Sequence, residues 1–522
     1  MGAAPPAGMV VPVLSIDRAS AKPLYRQIYE GFRNAIVERR LHAGQRISST
    51  RSLAAELRIS RIPVLNAFDQ LLAEGYVESR TGSGTFVAAS LPDGLSRPAL
   101  RAAGNKAPLR FLNRVIARRP EALLKEEPDP WLKGIGPFNV GQPPVDRFPV
   151  RVWSRLVARH SRRLDASLLH YGNPMGLPRL REAVAAYLRA ARAVRCEAEQ
   201  IMIVSGSQQA LELSARVLLD EDSPVWVEEP GYFGARKILA LSGARLVPVP
   251  VDDQGLDVSS GIRRFPRPRA VFVTPSHQFP LGVTMGASRR LQLLDWARHS
   301  GSWIIEDDYD SEYRYGNLPI ASLQGLDRDS RVLYVGTFTK IVFPSIRLGY
   351  IVLPPDLVAP FTEVRRAMDM SSPTFPQAVL ADFILDGHFT SHIRRTRQLC
   401  RERRDALIEA IRREFGRALQ VLGDEAGMFL VLTLPAGWSD REIALSAARE
   451  GLWVAPLSDF YLERAARQGL VLGYGGTKVE DVGRAVEHLR GVIEACGKTR
   501  GRRPARGITA SERRARGGSP RS

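Results

Sequence analysis

The 522-residue sequence contains three cysteines, Cys196, Cys400 and Cys496. They lie far apart, in neither a metal-ligand spacing nor a disulfide framework, which argues against a cysteine-stapled fold and for a reducing compartment. No run of about 18 apolar residues able to span a bilayer is present. The opening stretch MGAAPPAGMVVPVLSIDR lacks the charged start and sustained apolar core of a secretory signal, so the expected location is the cytoplasm, without a membrane partner. Acidic residues are in deficit: 55 Asp and Glu stand against 74 Lys and Arg, a formal net charge of +19. That balance favours a polyanionic partner, but it is unevenly spread. Residues 20–87 carry +4, 88–135 carry +4 and 498–522 carry +8, leaving +3 for 136–497. A large, nearly neutral block with basic appendages is the expected organisation.

Within the first appendage, Tyr25, Ile28, Tyr29, Phe32 and Ile36 recur at helical spacing, and the pattern stops near Gly44. Leu53, Ala54 and Leu57 follow the hydroxyl-rich Ser48-Ser49-Thr50 and predict a second helix. A third begins after Ser60, buries Val64, Phe68, Leu71 and Leu72, and ends at Gly75. Its opposite face carries Arg61, Ile62 and Asn66. Extended runs from Tyr76 to Arg80 and Thr85 to Val87, joined by Gly82-Ser83-Gly84, predict a hairpin. Three helices and a β-wing can dock DNA or another protein. For DNA, Arg61 suits guanine and Asn66 adenine, whereas Ser49, Arg51 and the amides around Gly82 and Gly84 suit phosphates.

Residues 89–135 read as a basic linker, and 497–522 as a basic, disordered tail. In the block 136–496, IMIV at 201–204, VWVE at 225–228, AVFVT at 270–274, WIIE at 303–306 and VLYVG at 332–336 alternate with helical patterns. These predict an α/β fold with a mostly parallel sheet, followed by a smaller α+β segment. Lys340 follows one such strand, where burial lowers an amine's pKa toward that needed for Schiff-base chemistry. Asp307, with Asp308, Tyr309 and Asp310 after it, ends another. An aspartate there can keep a pyridine nitrogen protonated and a tyrosine can bond a phenolic oxygen; the acids can equally hold Mg²⁺ or cap the next element. The strand–Ser-Gly-Ser–helix segment places Gly206, Ser207 and Gln208 where amides cradle a phosphate. With Arg347 as counter-charge and Tyr232 as a stacking ring, the set describes pyridoxal 5′-phosphate (PLP), with no metal.

The segment PLYRQIYEGFRNAIVERRLHAGQRISSTRSLAAELRISRIPVLNAFDQLLAEGYVESRTGSGTFV resembles the GntR-type winged helix-turn-helix of residues 20–88. Ser48 stands where proline is usual, and Ile62-Pro63 where small polar residues are usual. VGQPPVDRFPVRVW, the run from Tyr171-Gly172-Asn173-Pro174 through Gly176 to Leu180-Arg181, and TPSHQFPLGVTM resemble fold-type I aminotransferases. Together they resemble a MocR-type transcriptional regulator over roughly residues 20–495. The resemblance implies a Schiff base at Lys340, Asp307 on the pyridine nitrogen, Tyr309 on the ring oxygen, Ser207, Gln208 and Arg347 on the phosphate, and Tyr232 stacked on the ring. His277 and Gln278 would border the ring. Tyr171 would reach the phosphate of the neighbouring subunit in a head-to-tail homodimer. Where the family commonly has a carboxylate-gripping arginine, this chain has Val471. The implied protein binds promoter DNA and senses PLP, an amine or an amino-acid-type effector. A working transaminase with an accessory DNA-binding head is the alternative.

Overall fold

A computed structural model describes residues 14, 16–80, 82–89, 117, 119, 134–162, 168–316 and 320–501. Most of the expected linker, and the tail beyond Gly501, lie outside these residues. The chain divides into two compact units, residues 1–114 and 115–522.

In the first unit, α1 (Leu24–Val37), α2 (Thr50–Glu56) and α3 (Arg61–Ala73) precede a hairpin of β1 (Val77–Arg80) and β2 (Gly84–Val87). Ile28, Phe32, Ala35 and Ile36 of α1 face Val64, Ala67, Phe68 and Leu71 of α3 in one buried cluster, with Phe32 edge-on to Phe68 at 5.4 Å. Leu72 falls off that face and is exposed, because at 3.6 residues per turn the buried stripe passes through Leu71. Ser49 caps α2 by accepting the Ser52 amide at 3.1 Å. Ser60 occupies the cap position of α3 without a side-chain bond. The hairpin pairs Val77 with Val87 and Arg80 with Gly84.

The second unit is built on an eight-stranded sheet. Its strands are β3 (Ile201–Val204), β4 (Pro224–Glu229), β5 (Arg245–Asp252), β6 (Gly255–Leu256), β7 (Ala270–Val273), β8 (Trp303–Asp308), β9 (Val332–Thr337) and β10 (Gly349–Val352), in the order β3-β10-β9-β8-β7-β4-β5-β6. β9, β8, β7, β4 and β5 run parallel. β10 runs antiparallel to both β3 and β9, pairing Gly349 with Val204 and with Thr337. The sheet's buried residues divide among three apolar clusters, which explains the unbroken apolar runs. A four-stranded antiparallel sheet follows: β11 (Val421–Leu422), β12 (Phe429–Thr433), β13 (Ala455–Pro456) and β14 (Gly469–Gly473), in the order β11-β12-β14-β13. It shares a core with the helices His388–Phe415 and Val479–Gly501. The last helix thus runs past Cys496 into the segment expected to be disordered. Gly497 does not stop it, since an interior glycine costs only about 1 kcal/mol.

Candidate functional site

The carboxyl ends of the parallel strands open into a cavity of about 250 Å³. Ser207 opens the helix Ser207–Leu218 directly after β3, and Gly206 caps it at φ +92°. Only glycine is relaxed there, and a side chain at 206 would crowd the Arg347 guanidinium. Arg347, at φ +48° just before β10, donates to the Ser205 carbonyl at 2.8 Å. The reversed direction of β10 is what brings Arg347 to the end of the sheet where β3 and β9 finish. The first amides of the Ser207 helix have no partner within the helix, and a guanidinium lies beside them, which is an anion cradle. Gln208 donates to the Tyr232 hydroxyl at 2.7 Å, fixing that ring in the cavity wall. Burial pushes the Tyr232 phenol up to about 12.

Asp307 lies at the end of β8, buried, and its Oδ1 has no hydrogen-bond partner among the described residues. Burial first, then the neighbouring Asp308, Asp310 and Glu228, push its carboxyl up to about 8; Lys340 opposes them. Burial thus holds the carboxyl in its neutral form, and a cationic N–H donor placed against it would return it to the carboxylate. Lys340, three residues past Thr337 at the end of β9, is half-buried, and its Nζ donates to the Gly141 carbonyl at 2.7 Å. Burial lowers its pKa, partly offset by Asp310 and Asp307.

Tyr309 lines the cavity and donates to the His277 carbonyl at 2.8 Å. His277 does not itself line the cavity. It stands behind Tyr309, its Nδ1 3.0 Å from Asp310 Oδ2, both groups buried. Gln278 donates to the carbonyls of Pro230 and Phe279, and Phe279 takes the place at the wall. Tyr171 is 86% exposed and apart from the cavity lining. Val471 is fully buried, paired with Val431 and Ala455, and of these three only Ala455 reaches the wall.

Several contributors were not evident in the sequence. Gly141 holds Lys340 from about 200 residues upstream, and Asp310 holds His277. Phe279, Phe429 and Phe460 form an apolar wall, with ring centroids of Phe279 5.3 and 5.1 Å from the other two. Only the GQPP signature near Gly141 was visible as a motif. Behind the site, Arg192 pairs with Asp308 Oδ2 at 2.7 Å and Tyr334 bonds the same oxygen, while Asp308 Oδ1, like Asp307 Oδ1, has no hydrogen-bond partner among the described residues.

The donor set fits a flat pyridine aldehyde with a phosphate tail: an unpartnered buried carboxylate, a lysine of lowered pKa and an anion cradle share one cavity. No group of three or more metal-binding side chains occurs among the described residues.

On the first unit, Arg51, Arg61 and Asn66 are exposed, and Arg61 Nε donates to Thr50 Oγ1 at 3.3 Å. Ser49 is engaged in capping α2. Gly82 and Gly84 have φ of +74° and +109°, conformations suited to glycine. The Arg46 guanidinium packs beside Gly84, and Arg80 covers the Phe86 ring at 4.6 Å, adding two cations at the wing that periodicity did not single out.

This is a winged helix-turn-helix joined to an aminotransferase-type fold. Residues 24–87 match the family "Bacterial regulatory proteins, gntR family", and 134–489 match "Aminotransferase class I and II". The probable rhizopine catabolism regulatory protein MocR of Rhizobium meliloti is 39% identical over 92% of this chain and 96% of its own length. The pyridoxine biosynthesis transcriptional regulator PdxR of Corynebacterium glutamicum is 30% identical over 86% and 91%. A kynurenine aminotransferase of Pyrococcus horikoshii, solved with PMP, superposes with a TM-score of 0.65 at 28% identity, covering 74% of this chain and 97% of the enzyme. The chain belongs to the MocR-type transcriptional regulators, with a GntR-type DNA-binding head and a class I and II aminotransferase domain. That fold implies PLP. No helix among the described residues is long and apolar enough to cross a membrane.

Proposed function

We propose that this regulator binds PLP at Lys340 and couples occupancy of that site, by PLP itself or by an amine-type effector, to promoter binding by the head. The observation that carries the reading is Asp307: a buried carboxylate with no hydrogen-bond partner at Oδ1, in the same cavity as Lys340 Nζ and the Ser207–Arg347 cradle. When bound, PLP supplies an aldehyde for amine exchange and a ring that withdraws electrons. Asp307 would hold the proton on the pyridine nitrogen, Tyr309 would orient the ring oxygen, and Ser207, Gln208 and Arg347 would fix the phosphate. Tyr232 would cover one ring face, and Phe279, Phe429 and Phe460 would exclude water. Tyr171, exposed here, would serve the neighbouring subunit in a head-to-tail homodimer. Arg347 is the one arginine among the described residues lining the cavity, and it sits at the phosphate end. With Val471 withdrawn into the core, this lining offers a carboxylate no second arginine besides Arg347, which favours PLP or an amine over an α-amino acid.

Footprinting on the DNA upstream of its own gene, with and without PLP, for wild type and Lys340→Ala, tests the reading. The expected result is a PLP-dependent change in the wild-type footprint and none in the variant. Identical footprints in all four conditions overturn the sensor role while leaving DNA binding intact.

A further inference from the structure

The first unit holds a large apolar side chain that its own core does not use. Ile62 is 66% exposed, and the other exposed large apolar residue among the described residues of this unit, Leu72, is 37% exposed at the far end of α3. Ile62 is the second residue of α3, following Arg61. The buried stripe of this helix runs through Val64, Ala67, Phe68 and Leu71, so its side chain points away from the core. Asn66 is also exposed and lies one turn on; positions four apart stand as neighbours, about 5–6 Å between Cβ atoms.

A recognition helix presents its amino-terminal residues to base edges in the major groove. The only apolar group on those edges is the C5-methyl of thymine, and branched or methyl-bearing side chains read it by contact. A solvated isoleucine at that end gains by burying its branch against such a methyl, and water excluded there also favours the neighbouring amide–adenine pair.

We infer that Ile62 is a specificity-determining residue that contacts the methyl of a thymine in the operator, beside the adenine edge read by Asn66. Its role is independent of PLP. It requires DNA binding by the head, and the experiment separates the two.

The test selects an operator from random duplex with the full-length protein, then replaces each thymine singly by deoxyuridine, which differs only in lacking the methyl. Wild type is expected to lose about fourfold in affinity at one thymine, the equivalent of one buried carbon. Ile62→Ala is expected to bind the unmodified operator more weakly and to be indifferent to deoxyuridine at that position. Because Ile62 lies outside the core, the variant should retain wild-type affinity for unrelated DNA at low salt, which reports an intact head. The inference is overturned if no single methyl matters to the wild type, or if Ile62→Ala remains sensitive to the same methyl. Failure to select any sequence would instead overturn sequence-specific binding by the head, and the inference with it.

Discussion

The ammonium of Lys340 is held 2.7 Å from the carbonyl oxygen of Gly141, a residue at φ +81° whose missing side chain leaves the space the ammonium occupies. A Cβ built at 141 would stand 2.5 Å from Lys340 Nζ. A side chain at 141 would therefore force the lysine's end to move.

Gly141→Ala is expected to weaken PLP binding about tenfold or more by displacing the ammonium, and separately to lower stability by roughly 1–2 kcal/mol through left-handed backbone strain. Spectroscopic titration with PLP measures it, and unchanged far-ultraviolet circular dichroism would show that the fold persists. Unaltered affinity would mean that Lys340 reaches PLP from another rotamer.

The charge state of Asp307 gives a pH-dependent prediction. Without PLP, the folded protein keeps this proton up to about pH 8, whereas an unfolded chain releases it near pH 4. The folded state binds more protons across that window, so its contribution is full below about pH 4 and is lost as pH rises toward 8. Asparagine carries no such proton. The melting temperature of PLP-free Asp307→Asn, relative to wild type, is expected to climb by a few degrees between pH 5 and 8, while PLP affinity falls. Calorimetry across that range would reveal a flat difference if Asp307 ionised freely.

Ser48 is buried and its hydroxyl has no partner among the described residues. Removing an unsatisfied buried hydroxyl relieves about 1 kcal/mol or more. Ser48→Ala is expected to raise the melting temperature of the head's own transition by several degrees; a lower value would indicate that the hydroxyl is paired in solution.

The lining of the cavity predicts effector selectivity. Holoprotein titrated with matched pairs of α-amino acids and their decarboxylated amines should show saturable spectral changes with amines at concentrations at least tenfold below those needed for the acids. The reverse order would point to a carboxylate-binding cation from elsewhere, such as a partner subunit.

Residues 502–522 carry a net +6. Deleting them should weaken binding to specific and unrelated DNA alike and flatten the dependence of affinity on salt, because phosphate contacts release counterions. Arg61→Ala should instead reduce discrimination between sites. Loss of discrimination from the deletion would contradict this division.

Buried strands were legible because their residues are apolar on both faces: all five expected from the sequence are present, β3 with the same ends and the other four with an end shifted by a residue or two. β5 was not, since Pro248 and Pro250 break the usual strand composition, and neither was the short β10. Lys340, Asp307 and Arg347 were legible because each follows a strand or a signature run. His277, expected at the edge of the ring, stands behind Tyr309 and pairs with the Asp310 carboxylate 33 residues away, and no local pattern encodes that pairing. The apolar wall was hidden for a similar reason: Phe279 comes from a loop of the large sheet, whereas Phe429 and Phe460 belong to the carboxyl-terminal segment.

The antiparallel course of β10 has a consequence for how such a protein can change. Ser207, Lys340 and Arg347 are delivered to one place by the ladder that aligns Gly349 with Val204 and Thr337. A shift of one residue would turn the strand's faces over and unseat the core with it. The half of the pocket proposed to hold PLP is thus locked to the integrity of the domain. The wall made by Phe429, Ala455 and Phe460 is attached to a separate sheet and can vary without that penalty. Relatives sharing this scaffold can therefore diverge in the signal they answer to while keeping the same chemical handle.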